Sequence, residues 1–282
     1  MHDYDATRRS WNIATRNHNA HKGDQAAFLR AGGDVLFPEE LALLGDLTGQ
    51  RLCHLQCNAG QDSLCLARRG AQVTGVDLSD EAIAFARRLS RDADIPATFV
   101  QAEVVSWLQT TDERFDLAFA SYGATGWLPD LGAWARGVAR VLAPGGRLVY
   151  MEFHPLVWSF DKALQPKADD YFKKGPFTEP VGDYVAESGA GLGCVADGGT
   201  APPALTINTE PAHSWQHGFA EVLEAVQSAG LQLTHIREYP HSNGCRLLPA
   251  LVPGEGRRWL WPPGYARLPL MYGLSARRPQ GL

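Results

Sequence analysis

The chain has 282 residues, of which 45% are hydrophobic and 20% charged, the balance of a soluble globular protein able to bury a large core. Its 26 basic and 31 acidic side chains give a formal net charge of −5, which argues against the basic face that nucleic-acid binding needs. Five cysteines without a C-x-x-C indicate neither a disulfide framework nor a zinc site; no apolar run is long enough to span a membrane, and the polar start Met1–Ser10 is no signal peptide. The expectation is a cytoplasmic protein, monomer or homodimer, whose partner is a small molecule.

Residues 1–47 precede the first strand pattern. Tyr4, Trp11, Asn17, His18, Asn19, His21, Lys22 and Phe28 mix aromatic and polar chemistry, and Thr15–Gly33 is too polar for a plain core helix. Gln25–Arg30 reads as a short helix closed by Gly32 and Gly33, and Phe37-Pro38-Glu39-Glu40 opens a helix over Leu41–Leu47. Such a segment is either a lid over a ligand or an ordinary packing arm.

Arg51–Cys57 is short and mostly apolar and reads as a buried strand, with Cys53 and Cys57 as small core residues. Asn58, Ala59 and Gly60 make a tight turn, and Asp62–Arg69 has helical spacing that stops at Gly70. Val73–Leu78 reads as a second buried strand with Asp77 near its end, and Ser79 caps a helix over Asp80–Ser90. A small-residue turn lets a ligand approach the backbone, and an acid at the end of the next strand, about 20 residues on, can accept from ribose hydroxyls. The turn lacks the G-x-G-x-x-G that cradles a pyrophosphate, so a dinucleotide is disfavoured.

Thr98–Gln101 reads as the third strand. Glu103 behind it is either a ligand contact or the N-terminal charge of a helix over Val104–Leu108. Phe115–Ala120 is the fourth strand and ends in Ser121-Tyr122-Gly123, and Leu131–Leu142 has helical spacing. The fifth strand ends in Glu152-Phe153-His154-Pro155. From Pro155 to His213 periodicity fails amid many Pro, Gly and aromatic residues, which indicates an inserted cap with short strands rather than a bare loop. Trp215–Ala229 is an amphipathic helix, Leu231–Tyr239 a strand, Pro240–Ala266 a second aromatic-rich insertion and Leu268–Arg277 a last strand.

His54-Leu55-Gln56-Cys57-Asn58-Ala59-Gly60-Gln61-Asp62 resembles motif I of the class I S-adenosylmethionine (SAM)-dependent methyltransferases, with His54, Gln56 and Asn58 where that family commonly has an acid and two glycines. Leu142-Ala143-Pro144-Gly145-Gly146-Arg147-Leu148 resembles their L-x-P-G-G-x-L/F signature. The chain is similar to a bacterial branch of the superfamily that acts mostly on small molecules, over about Leu41–Arg277. The resemblance implies an α/β fold: a Rossmann-like seven-stranded methyltransferase sheet with helices on both faces, its last strand antiparallel. An N-terminal lid (1–47), a SAM-binding core (48–154), an inserted substrate cap (155–214) and a C-terminal part of the core (215–282, with insertion 240–266) would make up the chain. It implies SAM as cofactor, S-adenosylhomocysteine as product, no metal, and methyl transfer to an O, N, S or C atom of a small molecule. The cofactor contacts it implies are Gln56, Asn58, Gly60, Asp77, Leu78, Glu103, Val104 and Ser121, with Trp11, His18, Asn19 and Lys22 from the lid. His154, just past the fifth strand, either takes a proton from the acceptor or hydrogen-bonds the backbone ahead of Pro155; Tyr122 would orient the same substrate group. His213 and His217 flank a helix start and are weaker candidates. The alternative is a catalytically silent SAM- or nucleoside-binding regulatory module, against which the long aromatic insertions stand.

Overall fold

Short β-branched and apolar runs alternate with amphipathic helices through the first half of the chain, and a computed structural model, which describes residues 4–167, 171–189 and 205–281, shows what they build. Five strands, β1 (Arg51–Leu55), β2 (Gln72–Asp77), β3 (Thr98–Gln101), β4 (Phe115–Ser121) and β5 (Leu142–Phe153), are mutually parallel. Seven helices accompany them: α1 (Tyr4–Ala20), α2 (Gln25–Arg30), α3 (Pro38–Leu44), α4 (Gln61–Arg68), α5 (Asp80–Ala93), α6 (Val104–Thr110) and α7 (Leu131–Val141). The cap contributes β6 (Phe177–Glu179), α8 (Tyr184–Glu187) and β7 (Ala212–Ser214); then follow α9 (Phe219–Ser228), β8 (Gln232–Tyr239), β9 (His241–Asn243), β10 (Val252–Pro253), β11 (Arg258–Leu260) and β12 (Met271–Arg277). The main sheet has seven strands in the order β3-β2-β1-β4-β5-β12-β8, with β12 antiparallel to both neighbours.

The strands are buried on both faces, and their side chains alternate between two cores as the two-residue period demands. Cys53, Leu55, Ala118, Ala120, Leu148, Tyr150, Tyr272 and Leu274 meet Trp107, Leu108, Trp134, Val138, Val222 and Val226 of α6, α7 and α9. Leu52, Leu117, Phe119, Val149 and Met151 meet Leu29, Leu44, Leu64, Leu66, Ile83 and Leu89 on the other face. Because β1 pairs with both β2 and β4, chain direction through the sheet reverses at β1, and a crevice opens past the strand C-termini there.

Several boundaries differ from the sequence expectation, each for a local reason. β1 stops at Leu55 because Gln56 turns into the left-handed region at φ 53°. α3 starts at Pro38, not Leu41, since Glu40 Oε2 reaches back to accept from the Phe37 N–H at 3.2 Å. α9 starts at Phe219, because the N–H groups of Trp215 and Gln216 go to the carbonyls of Gly126 and Lys174 instead. The polar run after Thr15 is no break: it is the C-terminal end of α1, whose polar side chains are covered by the cap.

α1 is gripped from two sides. On the core side, Arg8 Nη1 and Asn12 Nδ2 donate to Asp80 Oδ1 at 2.7 and 2.8 Å, and Arg16 Nη1 reaches Glu81 at 2.9 Å, all on the first turn of α5. On the cap side, Asn17 exchanges a bond with each of the Thr206 backbone groups, donating at 2.8 Å and accepting at 3.1 Å, while Ser10 Oγ accepts from the Val181 N–H at 3.0 Å. β6 pairs with β7 in the cap, and β10, β11 and β9 form a small sheet in the second insertion. Cys194 and the middle of the expected cap lie outside the described residues. Among the described residues, no helix is long and apolar enough to cross a membrane.

Two stability outcomes follow from this packing. Trp134 is fully buried against Tyr150, so Trp134→Ala should cost about 3–5 kcal/mol in denaturant melts. Asn17→Ala should speed hydrogen exchange in residues 181–183 and 205–213 while exchange in β1 and β4 stays unchanged, because two bonds worth about 1 kcal/mol each hold the cap and not the sheet.

Candidate functional site

The site begins with a carboxylate. Asp77, the last residue of β2, accepts from the Ser79 N–H through Oδ1 and from the Asn58 N–H through Oδ2, both at 2.8 Å. It thereby ties the turn after β1 to the turn after β2. A carboxylate has about four lone-pair sites, and the Leu78 backbone also acts on this one, so part of its acceptor capacity stays open. Burial pushes the Asp77 carboxyl up to about 6, against the lowering effect of those backbone bonds.

The turn after β1 keeps glycine geometry where the sequence has none. Gln56 and Asn58 have φ 53° and 47°, beside Gly60 at 81°. Side chains pay for this strained backbone: Asn58 Oδ1 accepts from the Ala59 N–H at 2.6 Å, and Gln56 Nε2 donates to the Ala124 carbonyl. At Gly60 a Cβ would stand 2.7 Å from that of Ala86 and 2.9 Å from the Phe99 ring, so no side chain fits. Among the described residues, six non-glycine residues have positive φ, and Gln56, Asn58, Tyr122 and Arg257 of these six surround this region.

Lys22, Asp62, Asp77 and Tyr122 all keep some accessible surface, and burial is the leading cause of displacement in each. Burial holds Lys22 down to about 8, with Arg257 adding to the lowering and Asp62 opposing it. Asp62 is raised by burial, against the pull of Lys22 and Arg257. Glu40 is raised to about 8 by burial and then by the charge of Asp62. Tyr184, on α8, is 36% exposed; its phenol is raised by desolvation and then by Cys245, Asp77 and Asp62.

The residues of the N-terminal arm divide their work. Trp11 stands edge-on to Trp127 and Tyr184, and His18 Nε2 donates to the Gly182 carbonyl at 3.0 Å while its ring lies 4.2 Å from that of Tyr184. Burial lowers His18 to about 4, so it is neutral and Nε2 is the donor. Asn19 Oδ1 accepts from Gln25 and Gln61 at 3.1 Å each, bridging α1, α2 and the start of α4. Lys22 is the lid residue that faces the interior acids.

Elsewhere, Leu78 follows Asp77 and its carbonyl accepts from Gln101 at 3.0 Å. Both Glu103 oxygens cap α6, accepting from Val105 and Ser106 at 2.9 and 2.7 Å, the helix-charge arrangement; Val104 is buried in the core beneath. Ser121 is half-buried at the end of β4. Tyr122 and His154 are not brought together. Tyr122 packs against Phe37 and Phe153 on the α3 face, whereas His154 packs against Phe219 and Tyr272 near α9. Successive positions point to opposite faces of a strand, and these two residues left the sheet on opposite sides. His154 Nδ1 accepts from the Leu156 N–H at 3.2 Å and Nε2 lies 3.0 Å from Glu238 Oε1. His217 Nε2 bonds the Leu128 carbonyl at 2.8 Å and His213 Nδ1 the Thr178 hydroxyl at 2.9 Å.

The sequence reading missed Glu40, Asp62, Tyr184, Asn243 and Arg257. Asp62 was within reach, since it sits in the first turn after the glycine that closes the ligand-facing turn. Glu40 read as a helix-start acid, and the other three lie in aperiodic insertions that carry no positional signal.

Residues 53–146 match the family described as "Methyltransferase domain". The chain is similar to a ubiquinone biosynthesis O-methyltransferase of Alkalilimnicola ehrlichii, 31% identical over 38% of this chain and 43% of that protein. It is also similar to an uncharacterised methyltransferase of Synechocystis, 34% identical over 48% of this chain and 62% of that one. The chain thus spans less than two thirds of the length of either relative. The crystal structure of an S-adenosylmethionine-dependent methyltransferase from Mesorhizobium loti superimposes with a TM-score of 0.58 at 22% identity, covering 88% of this chain and 99% of that one. Residues 53–146 carry a methyltransferase domain match, and the whole sheet has the fold of the class I SAM-dependent methyltransferases.

Proposed function

We propose that this protein is a SAM-dependent methyltransferase acting on a small molecule. The observation that carries the reading is Asp77, which ends β2 at the sheet's reversal point, inside the segment that matches a methyltransferase domain. The site fits the cofactor: left-handed backbone at Gln56, Asn58 and Gly60 turns the chain sharply after β1, and the Asp77 carboxylate is an acceptor for ribose hydroxyls. When bound, SAM supplies a methyl group on a positively charged sulfur. Asp77 holds the sugar; Leu78, Glu103 and Val104 border the base; Ser121 lines the end of β4; and Lys22 with the α1 lid residues Trp11, His18 and Asn19 closes the space. The family match ends at residue 146, before the cap and the second insertion, so the acceptor is chosen by segments the O-methyltransferase relatives do not inform. Holding the acceptor in line is the main contribution asked of the protein.

His154 was the expected base. We read it as a structural residue: burial lowers its pKa, partly offset by Glu238, its Nδ1 lone pair is taken by the Leu156 N–H, and Nε2 lies beside Glu238. His154→Ala should lower the melting temperature and spare turnover, in place of the roughly 10²–10⁴-fold loss a general base would show.

The reading itself is tested by calorimetry with SAM and by release of S-adenosylhomocysteine from labelled SAM with metabolite fractions. Binding with no turnover on any fraction would favour the silent module; no binding at all would overturn both readings. Asp77→Asn should weaken SAM by about 1–3 kcal/mol. The wild-type carboxyl titrates at about 6, raised above its ordinary value, so it is an acceptor above that pH and is protonated below it. SAM affinity should therefore fall as pH drops through about 6, and the Asn variant should lose that dependence. Hydrogen exchange should slow across residues 11–33 when S-adenosylhomocysteine binds if the arm is a lid.

A further inference from the structure

The chain that leaves β4 meets a second buried carboxylate, which the cofactor reading does not use. Tyr122 still gives its N–H to the Met151 carbonyl at 2.8 Å. There the ladder between β4 and β5 ends, and Tyr122 and Gly123 swing into the left-handed region at φ 40° and 82°. The N–H groups that follow need partners from elsewhere. Glu152 of β5, 6% exposed, supplies them. Its Oε1 accepts from the Gly123 N–H and, at 2.7 Å, from the Phe153 N–H. Its Oε2 accepts from the Tyr150 hydroxyl at 3.0 Å and lies 3.3 and 3.4 Å from the N–H and hydroxyl of Thr125. These donors fill the roughly four lone-pair sites of a carboxylate, so Glu152 has none to offer a ligand.

What Glu152 holds is one wall of the crevice. β4 is the neighbour of β1 where the strand order reverses, so the chain after β4 and the turn after β1 stand side by side beyond the strand ends, where ligands bind in such sheets. The two are tied directly, since Gln56 Nε2 in the turn donates to the Ala124 carbonyl. The next residues carry the outer segments. The Gly126 carbonyl accepts from the Trp215 N–H at 2.7 Å, the Leu128 carbonyl bonds His217 at 2.8 Å, and the Trp127 ring lies 5.2 Å from that of Trp11 on α1. Burying a charge is costly unless it is fully hydrogen-bonded. What this buried charge secures is a single conformation for residues 122–125, which strained backbone alone would not keep.

We propose that Glu152 is a positioning residue for the cofactor: without touching SAM, it holds residues 122–125 against the turn after β1 that binds it. This role rests on the SAM-binding reading of that turn.

The test measures S-adenosylhomocysteine affinity by calorimetry on the full chain, beside thermal melts. Glu152→Gln is nearly isosteric, yet in either orientation its amide NH2 points at a backbone N–H, of Gly123 and Phe153 or of Thr125. It should weaken S-adenosylhomocysteine about tenfold or more, the worth of a hydrogen bond to a charged group. Hydrogen exchange should speed up across residues 122–127 while β1 and β2 exchange as before. Gln56→Ala should weaken the ligand too, and the double variant should lose less than the two single losses combined, because both side chains hold one segment. A purely structural Glu152 would lower the melting temperature and leave affinity unmoved. Wild-type affinity in a folded Glu152→Gln therefore overturns the role, and so do strictly independent losses in the double variant. Should Glu152→Gln not fold, Gly123→Ala carries the test: a Cβ there meets nothing within 4 Å, so only the left-handed backbone is strained. It should weaken S-adenosylhomocysteine, whereas Gly49→Ala, equally open at φ 72° ahead of β1 at the opposite end of the sheet, should not. A Gly123→Ala protein that binds as the wild type does overturns the role. If the wild type itself binds no S-adenosylhomocysteine, the SAM-binding reading falls and this role with it.

Discussion

The structure hangs on one carboxylate held between two turns. Asp77 pulls the Asn58 and Ser79 N–H groups onto its two oxygens, and so fixes where β1 ends, where α4 and α5 begin and how far apart they stand. That arrangement lets Gln56 and Asn58 persist in a backbone conformation glycine would adopt more cheaply. Without the bridge the two turns would have no common anchor, and the crevice at the sheet's reversal point would lose its floor. The same carboxylate is destabilised by burial, as ionisable groups at functional sites often are.

A roof stands over that floor, and it is built differently. The sheet is held by two apolar cores, one of which takes in Leu29, Leu36 and Leu44 of the arm; α1 is held largely by polar bonds. α1 takes its place from the acids of α5 on one side and from Thr206, Val181 and Gly182 on the other. Smaller apolar clusters, one around Val157, Leu251 and Trp261 and one around Ala14, Val181 and Ala212, give the insertions cores of their own.

Between floor and roof the charges are muted. Lys22, Glu40 and Asp62 are each moved toward their neutral forms by burial; Lys22 and Asp62 temper each other, while Asp62 adds to the shift of Glu40. Among such buried groups a hydrogen bond is stronger than in water, and an unmatched polar atom is dearer. The cap phenol Tyr184 and the amide of Asn243 come from chain segments far from the motif-bearing turns.

The sequence by itself determined the sheet and its ligand edge. Alternating apolar runs and helical spacing located β1 to β5, β8 and β12 to within a few residues, and Asp77 stood out because its distance from Gly60 is set by local geometry: one strand, one turn and one helix. Burial, by contrast, is decided by whatever folds over a residue from elsewhere. Glu40 looks like a helix-start acid until β9 covers it, and His154 and Tyr122 look like partners until the two faces of the sheet separate them. Asn17, His18 and Asn19 read as too polar for a plain core helix because a polar helix face is invisible as such until other segments are laid on it. Tertiary structure decided these matters because desolvation and hydrogen-bond pairing depend on contacts between segments that no local spacing encodes.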